Sequence, residues 1–234
     1  MSFKKNIIVV TGGGGRFAKS LKKIKSKYKF VYPSKKKLNI SNINSIKNYL
    51  KKNKPKSVLH LAGLSRPMIT HEKNIKKSIN LNIIGTCNIV NVCSDLKIKV
   101  IYFSTSYIYP GKKGNYKEND PLLPWNNYGW SKLGGECAVQ MYKNSLILRV
   151  CMTEKPFLHK NAFSNVKLNF IFHEELVKIL FKILNKKGII NLGGPTRTVY
   201  HFAKKYNKKV KKSYATKMPP NLSMNLSKLY NLIK

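Results

Sequence analysis

A chain of 234 residues with 42% hydrophobic content is long enough and apolar enough to bury one full core, which excludes a disordered tail. Its formal charge of +38 invites a polyanion partner, yet the basic residues are almost all lysine, spread along the whole chain, with arginine only at positions 16, 66, 149 and 197. Arginine is the usual bidentate reader of phosphates and bases, so the pattern reads as a lysine-coated surface, and no specific nucleic-acid partner is expected.

The four cysteines form no Cys-x-x-Cys pair and no Cys/His cluster with metal-ligand spacing, so they read as small buried hydrophobes of a reducing compartment. The short apolar run near the N-terminus is too brief for a signal peptide or a membrane span, and a soluble cytoplasmic protein with no membrane partner is expected.

In chain order, Asn6 to Val10 reads as a buried parallel strand, and Gly12 to Gly15 then lead into a helix from Arg16. A strand, a glycine-rich turn and a helix N-terminus make an anion site, because bare backbone can approach a pyrophosphate and the helix dipole favours its charge. A flexible loop is the alternative reading of the glycine run. Phe30 to Tyr32 forms a second short strand, followed by Pro33, Ser34 and Lys35 where a dinucleotide fold places the residue that inspects the adenosine ribose. An acid there would bind the ribose 2′-hydroxyl; a hydroxyl beside an ammonium suits a 2′-phosphate. NADP(H) is therefore preferred over NAD(H).

Leu38 to Ile40 reads as a further short strand and Ile43 to Lys52 as a surface helix. Ser57 to Gly63 reads as a buried strand running into a small-residue turn, with His60 a core histidine rather than a catalytic one. Ile75 through Ser94 carries a helical stripe of Ile75, Ile79, Ile83, Ile84, Cys87 and Val90. Lys99 to Phe103 is the next strand, and it delivers Ser104 and Thr105 to the carboxyl edge of the sheet, where ligands of open α/β sheets bind.

Tyr128 and Lys132 are four residues apart, which on a helix places them one turn apart on one face. A nearby ammonium favours the ionised phenol, lowers its pKa and makes tyrosine usable as a general acid. The helix continues to Tyr142, and Ser145 to Val150 is one more core strand. Alternating strand and helix over this stretch predicts an α/β fold of the Rossmann type: a doubly wound parallel sheet with helices on both faces. The expected division is residues 1–150 for the dinucleotide-binding part and 151–234 for a small C-terminal lobe packed on it as one unit. Within that lobe a helix from His173 to Asn185, a strand from Gly188, a short helix from Thr198 to Lys205 and a helical tail are expected.

The stretches TGGGGRFA, VLHLAG at 58–63, NIIGT at 82–86, STSYIYPG at 104–111 and YGWSKLGGE at 128–136 together resemble the extended short-chain dehydrogenase/reductases of nucleotide sugars, within them the dTDP-4-dehydrorhamnose reductase branch. The resemblance implies that Thr105 hydrogen-bonds a sugar keto oxygen, Tyr128 protonates it, and Lys132 holds the nicotinamide ribose and depresses the Tyr128 pKa. It further implies that Gly12, Gly15 and Ala18 cradle the pyrophosphate, with Thr11, Gly14, Arg16 and Phe17 around them. Asn39, Ile40, Leu61, Ala62, Gly63, Ser104 and Pro156 would complete the cofactor contacts. The implied activity is NAD(P)-dependent reduction of a nucleotide-linked keto-sugar. A nucleotide-sugar epimerase stays open beside it, as does a cofactor-binding subunit resembling the regulatory subunit of methionine adenosyltransferase. Two departures stand out. Ser106 replaces the aspartate frequent after the Ser-Thr pair, and the region after Val150 is compressed, so a homodimer in which a partner completes the pocket is also open.

Overall fold

A computed structural model describes residues 7–234. The expected start of the first strand at Asn6 lies outside the described residues. Five labelled strands, β1 (Ile7–Thr11), β2 (Lys29–Val31), β3 (Ser57–His60), β4 (Lys99–Thr105) and β5 (Ser145–Val150), join the strand Gly188–Leu192 in a six-stranded sheet. The order across the sheet is Gly188–Leu192, β5, β4, β3, β1, β2, and every pairing is parallel. This is the doubly wound α/β fold that the alternation predicts. The strands are runs of valine, isoleucine and leucine because helices cover both faces: every residue of β3, β4 and β5 is buried. Each fully buried aliphatic side chain contributes roughly 1.5–3 kcal/mol.

One face is covered by α1 (Arg16–Lys23), the helix His173–Ile183 and the tail helix Ser227–Ile233, whose Phe17, Leu21, Leu176, Leu180 and Leu229 pack against the sheet. The other face is covered by α2 (Ile43–Asn53), the helical run ending at Asp95 and the helix Asn127–Met141. A third cluster, built on Phe157, Phe172, Phe202 and Leu222 with Ile108 and Tyr109, is the core of the C-terminal lobe.

The structure departs from the sequence reading at four places. Leu38 to Ile40 is not a strand: the Lys37 and Leu38 amides both donate to the Ser34 carbonyl and close a turn, while Leu38 and Ile40 are anchored in the core. The stripe on residues 75–90 is not a buried face, for Ile75, Ile79 and Ile84 are 55%, 40% and 45% exposed. A π-helical segment, Ile79–Ile84, widens the turn there and shifts the periodicity, so Ser78, Asn82, Thr86, Ile89 and Cys93 face inward instead. The boundary at residue 150 does not divide the chain cleanly, because the helix His173–Ile183 and the strand Gly188–Leu192 return to the main sheet. Finally, Cys93 and Cys151 are buried as expected, whereas Cys87 is half-buried and Cys137 exposed.

Candidate active site

The glycine turn joins β1 to α1 at the carboxyl edge of the sheet. Gly12 has φ +71°, and a Cβ there would stand 2.7 Å from the Ala62 amide nitrogen, so neither the conformation nor the close approach of the two loops tolerates a side chain. Gly14 differs: a Cβ on it would meet nothing within 4 Å, so it faces open space. Gly15 caps α1 without a side-chain hydrogen bond, and the first turn of that helix holds no acid. The amides and positive dipole end of α1 are thus left for an anion, and the bare cradle fits a pyrophosphate.

The second half of the site is the end of β4 and the start of the helix Asn127–Met141. Asn126 starts that helix by accepting a hydrogen bond from the Gly129 amide at 2.8 Å. Tyr128 and Lys132 then lie one turn apart, as their spacing predicts. A Cβ on Gly135 would fall 2.5 Å from the Asn82 carbonyl and 2.7 Å from the Tyr102 hydroxyl, so glycine lets this helix press against the helical run 75–95. Asn82 ties the two together: its amide donates to Ser131 Oγ at 2.9 Å and to the Leu64 carbonyl, and its Oδ1 accepts from the Leu64 amide.

Thr105 is buried, and its hydroxyl accepts from the Tyr107 amide at 3.2 Å, while the Tyr107 ring packs edge-on against the Tyr128 ring with centroids 5.9 Å apart. Ser104 Oγ, buried beside it, has no hydrogen-bond partner. The electrostatics correct one expectation. Burial raises the Tyr128 pKa, and what opposes burial is the nearby Thr105 hydroxyl and the Arg66 charge, not Lys132. The Lys132 ammonium instead stands 4.1 Å from the centre of the Tyr102 ring. Burial lowers its own pKa to about 7, against the pull of Glu136.

The remaining expected residues divide in two. The Thr11 hydroxyl is engaged with His60 Nδ1 and the Leu61 and Ala62 amides, and the Ile40 side chain lies in the core. Phe17 and Ala18 are also buried, in the first turn of α1. Asn39 orders its own turn, its Oδ1 accepting from the Ser41 amide. Ser34, Lys35, Gly63 and Pro156 are exposed, and Leu61 and Ala62 are half-buried in the loop after β3. His60 is a core histidine: it is 1% exposed, bonded to Thr11 and Thr86, and held neutral by burial and the Lys132 charge, with its pKa lowered to about 3.

Sequence reasoning named Arg16 but gave no role to Arg66, Glu136, Arg149 or Glu154. Arg16, at the head of α1, approaches Glu154 at 3.0 Å, and Arg66, in the loop after β3, approaches the same carboxylate at 3.4 Å. Behind the site, Arg149 on β5 pairs with Glu136 at 2.7 Å, both essentially inaccessible at 1% and 0%. Arg149 also donates to the Tyr109 hydroxyl and the Glu118 carbonyl, each at 2.8 Å. The Glu136 end was visible in the sequence motif, whereas nothing local marks Glu154. A cavity of about 470 Å³ opens next to Arg149, lined also by Glu118, Asp120, Gln140 and Lys228, and it includes none of the glycine turn, Thr105 or Tyr128.

Comparison with known proteins adds four findings. The family described as RmlD substrate binding domain matches residues 5–180. A dTDP-4-dehydrorhamnose reductase of Aggregatibacter actinomycetemcomitans is 25% identical over 199 residues, 81% of this chain and 62% of that protein. A methionine adenosyltransferase 2 subunit beta of Xenopus laevis is 32% identical over 114 residues, 48% of this chain and 34% of that protein. The chain thus spans less than two thirds of the length of these curated relatives. Among solved structures, a dTDP-4-dehydrorhamnose reductase of Bacillus anthracis in complex with NADP superposes with a TM-score of 0.88 at 19% identity, covering 99% of this chain and 93% of the other. That likeness concerns the fold.

Proposed function

This chain belongs to the RmlD substrate-binding domain family, and from that membership we propose that it is an NAD(P)-dependent reductase of a nucleotide-linked keto-sugar. The observation that carries the reading is the convergence of Thr105, Tyr128 and Lys132 at the sheet edge, beside an uncapped glycine turn. In that role the α1 amides and the cradle at Gly14 and Gly15 hold the pyrophosphate, and Ser34 and Lys35 stand by the adenosine ribose. NADP(H) is preferred over NAD(H) because no acid follows β2. When bound, the cofactor supplies the hydride.

The chain's own residues manage the proton. Thr105 and Tyr128 orient a keto oxygen between them, and the phenol donates its proton to it. Lys132 would hold the nicotinamide ribose once its ammonium turned from the Tyr102 ring. A Lys132 ammonium brought closer lowers the raised Tyr128 pKa, so the phenol acidifies only when the site is filled. Purified protein should oxidise NADPH in the presence of a 4-keto nucleotide sugar; no turnover across such sugars, with cofactor bound, would reject the reductase reading.

A second reading, a cofactor-binding subunit of another enzyme, is favoured by the match to methionine adenosyltransferase 2 subunit beta. It predicts tight NAD(P)H binding without turnover and co-purification of a larger enzyme. An epimerase would use the same Tyr128 and Lys132, and product analysis separates it from a reductase.

A further inference from the structure

The two arginines that follow the first and third strands of the sheet are engaged by one carboxylate. Arg16 follows β1, Arg66 follows β3 and Glu154 follows β5, so a single acid joins two cations from two other connections along the carboxyl edge of the sheet. The arrangement is not forced by abundance. The chain holds eight acids against forty-six basic residues, and only four of the latter are arginines, two of which converge here.

From this geometry we infer that Glu154 is an internal competitor for the cofactor's pyrophosphate: it pairs with Arg16 and Arg66, and a bound pyrophosphate displaces it and takes over both guanidinium groups. The inference rests on reading the cleft as a dinucleotide site, and it assigns to Glu154 and Arg66 a part in setting cofactor affinity. Three features support it. The arginine side chains are 45% and 39% exposed, so they can turn to a ligand, while the Glu154 side chain at 18% is the more fixed partner. Arg16 is the first residue of α1, at the helix end whose amides have no other anion. Glu154 Oε1 is within ion-pair distance of Arg16 but has no hydrogen bond, so the contact lacks the directional bonds that would make it permanent.

The test is a fluorescence titration of NADPH into the full chain and its variants at low and at high salt. Glu154→Gln keeps the shape and removes the charge, and it should bind NADPH about three- to tenfold more tightly than the unaltered protein at low salt, the scale of two surface ion pairs that no longer need breaking. The gain should shrink at high salt. Arg16→Ala and Arg66→Ala should each weaken binding, and adding Glu154→Gln to that pair should restore nothing. Equal or weaker binding by Glu154→Gln would overturn the inference, as would the same gain in the background lacking both arginines. No saturable binding of NADPH or NADH by the unaltered protein would instead reject the dinucleotide reading beneath it.

Discussion

Two carboxylate–arginine clusters flank this site and stand in opposite circumstances. Glu136 and Arg149 are sealed between the Tyr128 helix and β5, with Tyr109 and the Glu118 carbonyl taking further guanidinium hydrogens. Glu154, Arg16 and Arg66 meet at the rim, half open to water and at longer range. Burial decides what each can do. In a dry interior the loss of one partner strands a charge, so the inner cluster behaves as a fixed frame for the helix that carries Lys132 one turn from Glu136. At the rim the same chemical pair is screened and exchangeable, which suits groups that must let a ligand in.

Breaking each cluster tests the contrast. Glu136→Ala should destabilise the fold by about 3–5 kcal/mol, the usual scale for stranding a buried charge, and urea unfolding measures it. Replacing both inner partners together by Leu and Met should recover most of that loss, because no uncompensated charge remains. Glu154→Gln, by contrast, should leave unfolding within about 1 kcal/mol of the unaltered protein. A large loss there would make the rim cluster part of the frame and erase the distinction.

The smallest effect concerns pH. Burial lowers Lys132 to about 7 and Lys99 to about 8, against an ordinary lysine near 10.5, so between those values the unfolded chain binds more protons than the folded one. Stability should therefore rise from pH 7 toward pH 10. Below 7 both states are protonated and this contribution is flat. Above about 10 the trend reverses, since burial raises the Tyr102 pKa and the folded chain then keeps a proton that the unfolded chain loses. Lys132→Met should flatten part of the rise in urea unfolding at pH 7 and pH 9.5.

The same contrast explains what could be read from sequence. Local signals carried the sheet, the glycine turn and the Tyr128–Lys132 pair, because each depends on a strand period, a backbone conformation or a one-turn spacing. Asn82 was within a quoted motif, yet its bonds to Leu64 and Ser131 depend on a π-helical segment that no apolar stripe announces. The stripe itself misled for that reason. Glu154 and Arg66 are 88 residues apart and meet only after the sheet has formed. Long-range charge pairing of this kind leaves no period, and a surface rich in lysine hides which cations matter. The influence of Lys132 on Tyr128 failed in the structure for a physical reason as well: a one-turn spacing fixes the backbone, not the direction of a long side chain, and here the ammonium settles on an aromatic face.

The measurement that bears most directly on the proposed chemistry compares the unaltered protein with Tyr128→Phe, both saturated with NADPH, after addition of a dTDP-4-keto-6-deoxy sugar. Loss of the phenolic proton should slow NADPH oxidation about 10²- to 10⁴-fold while NADPH affinity stays unchanged. Equal oxidation rates in the two proteins would contradict the role of Tyr128 as the acid.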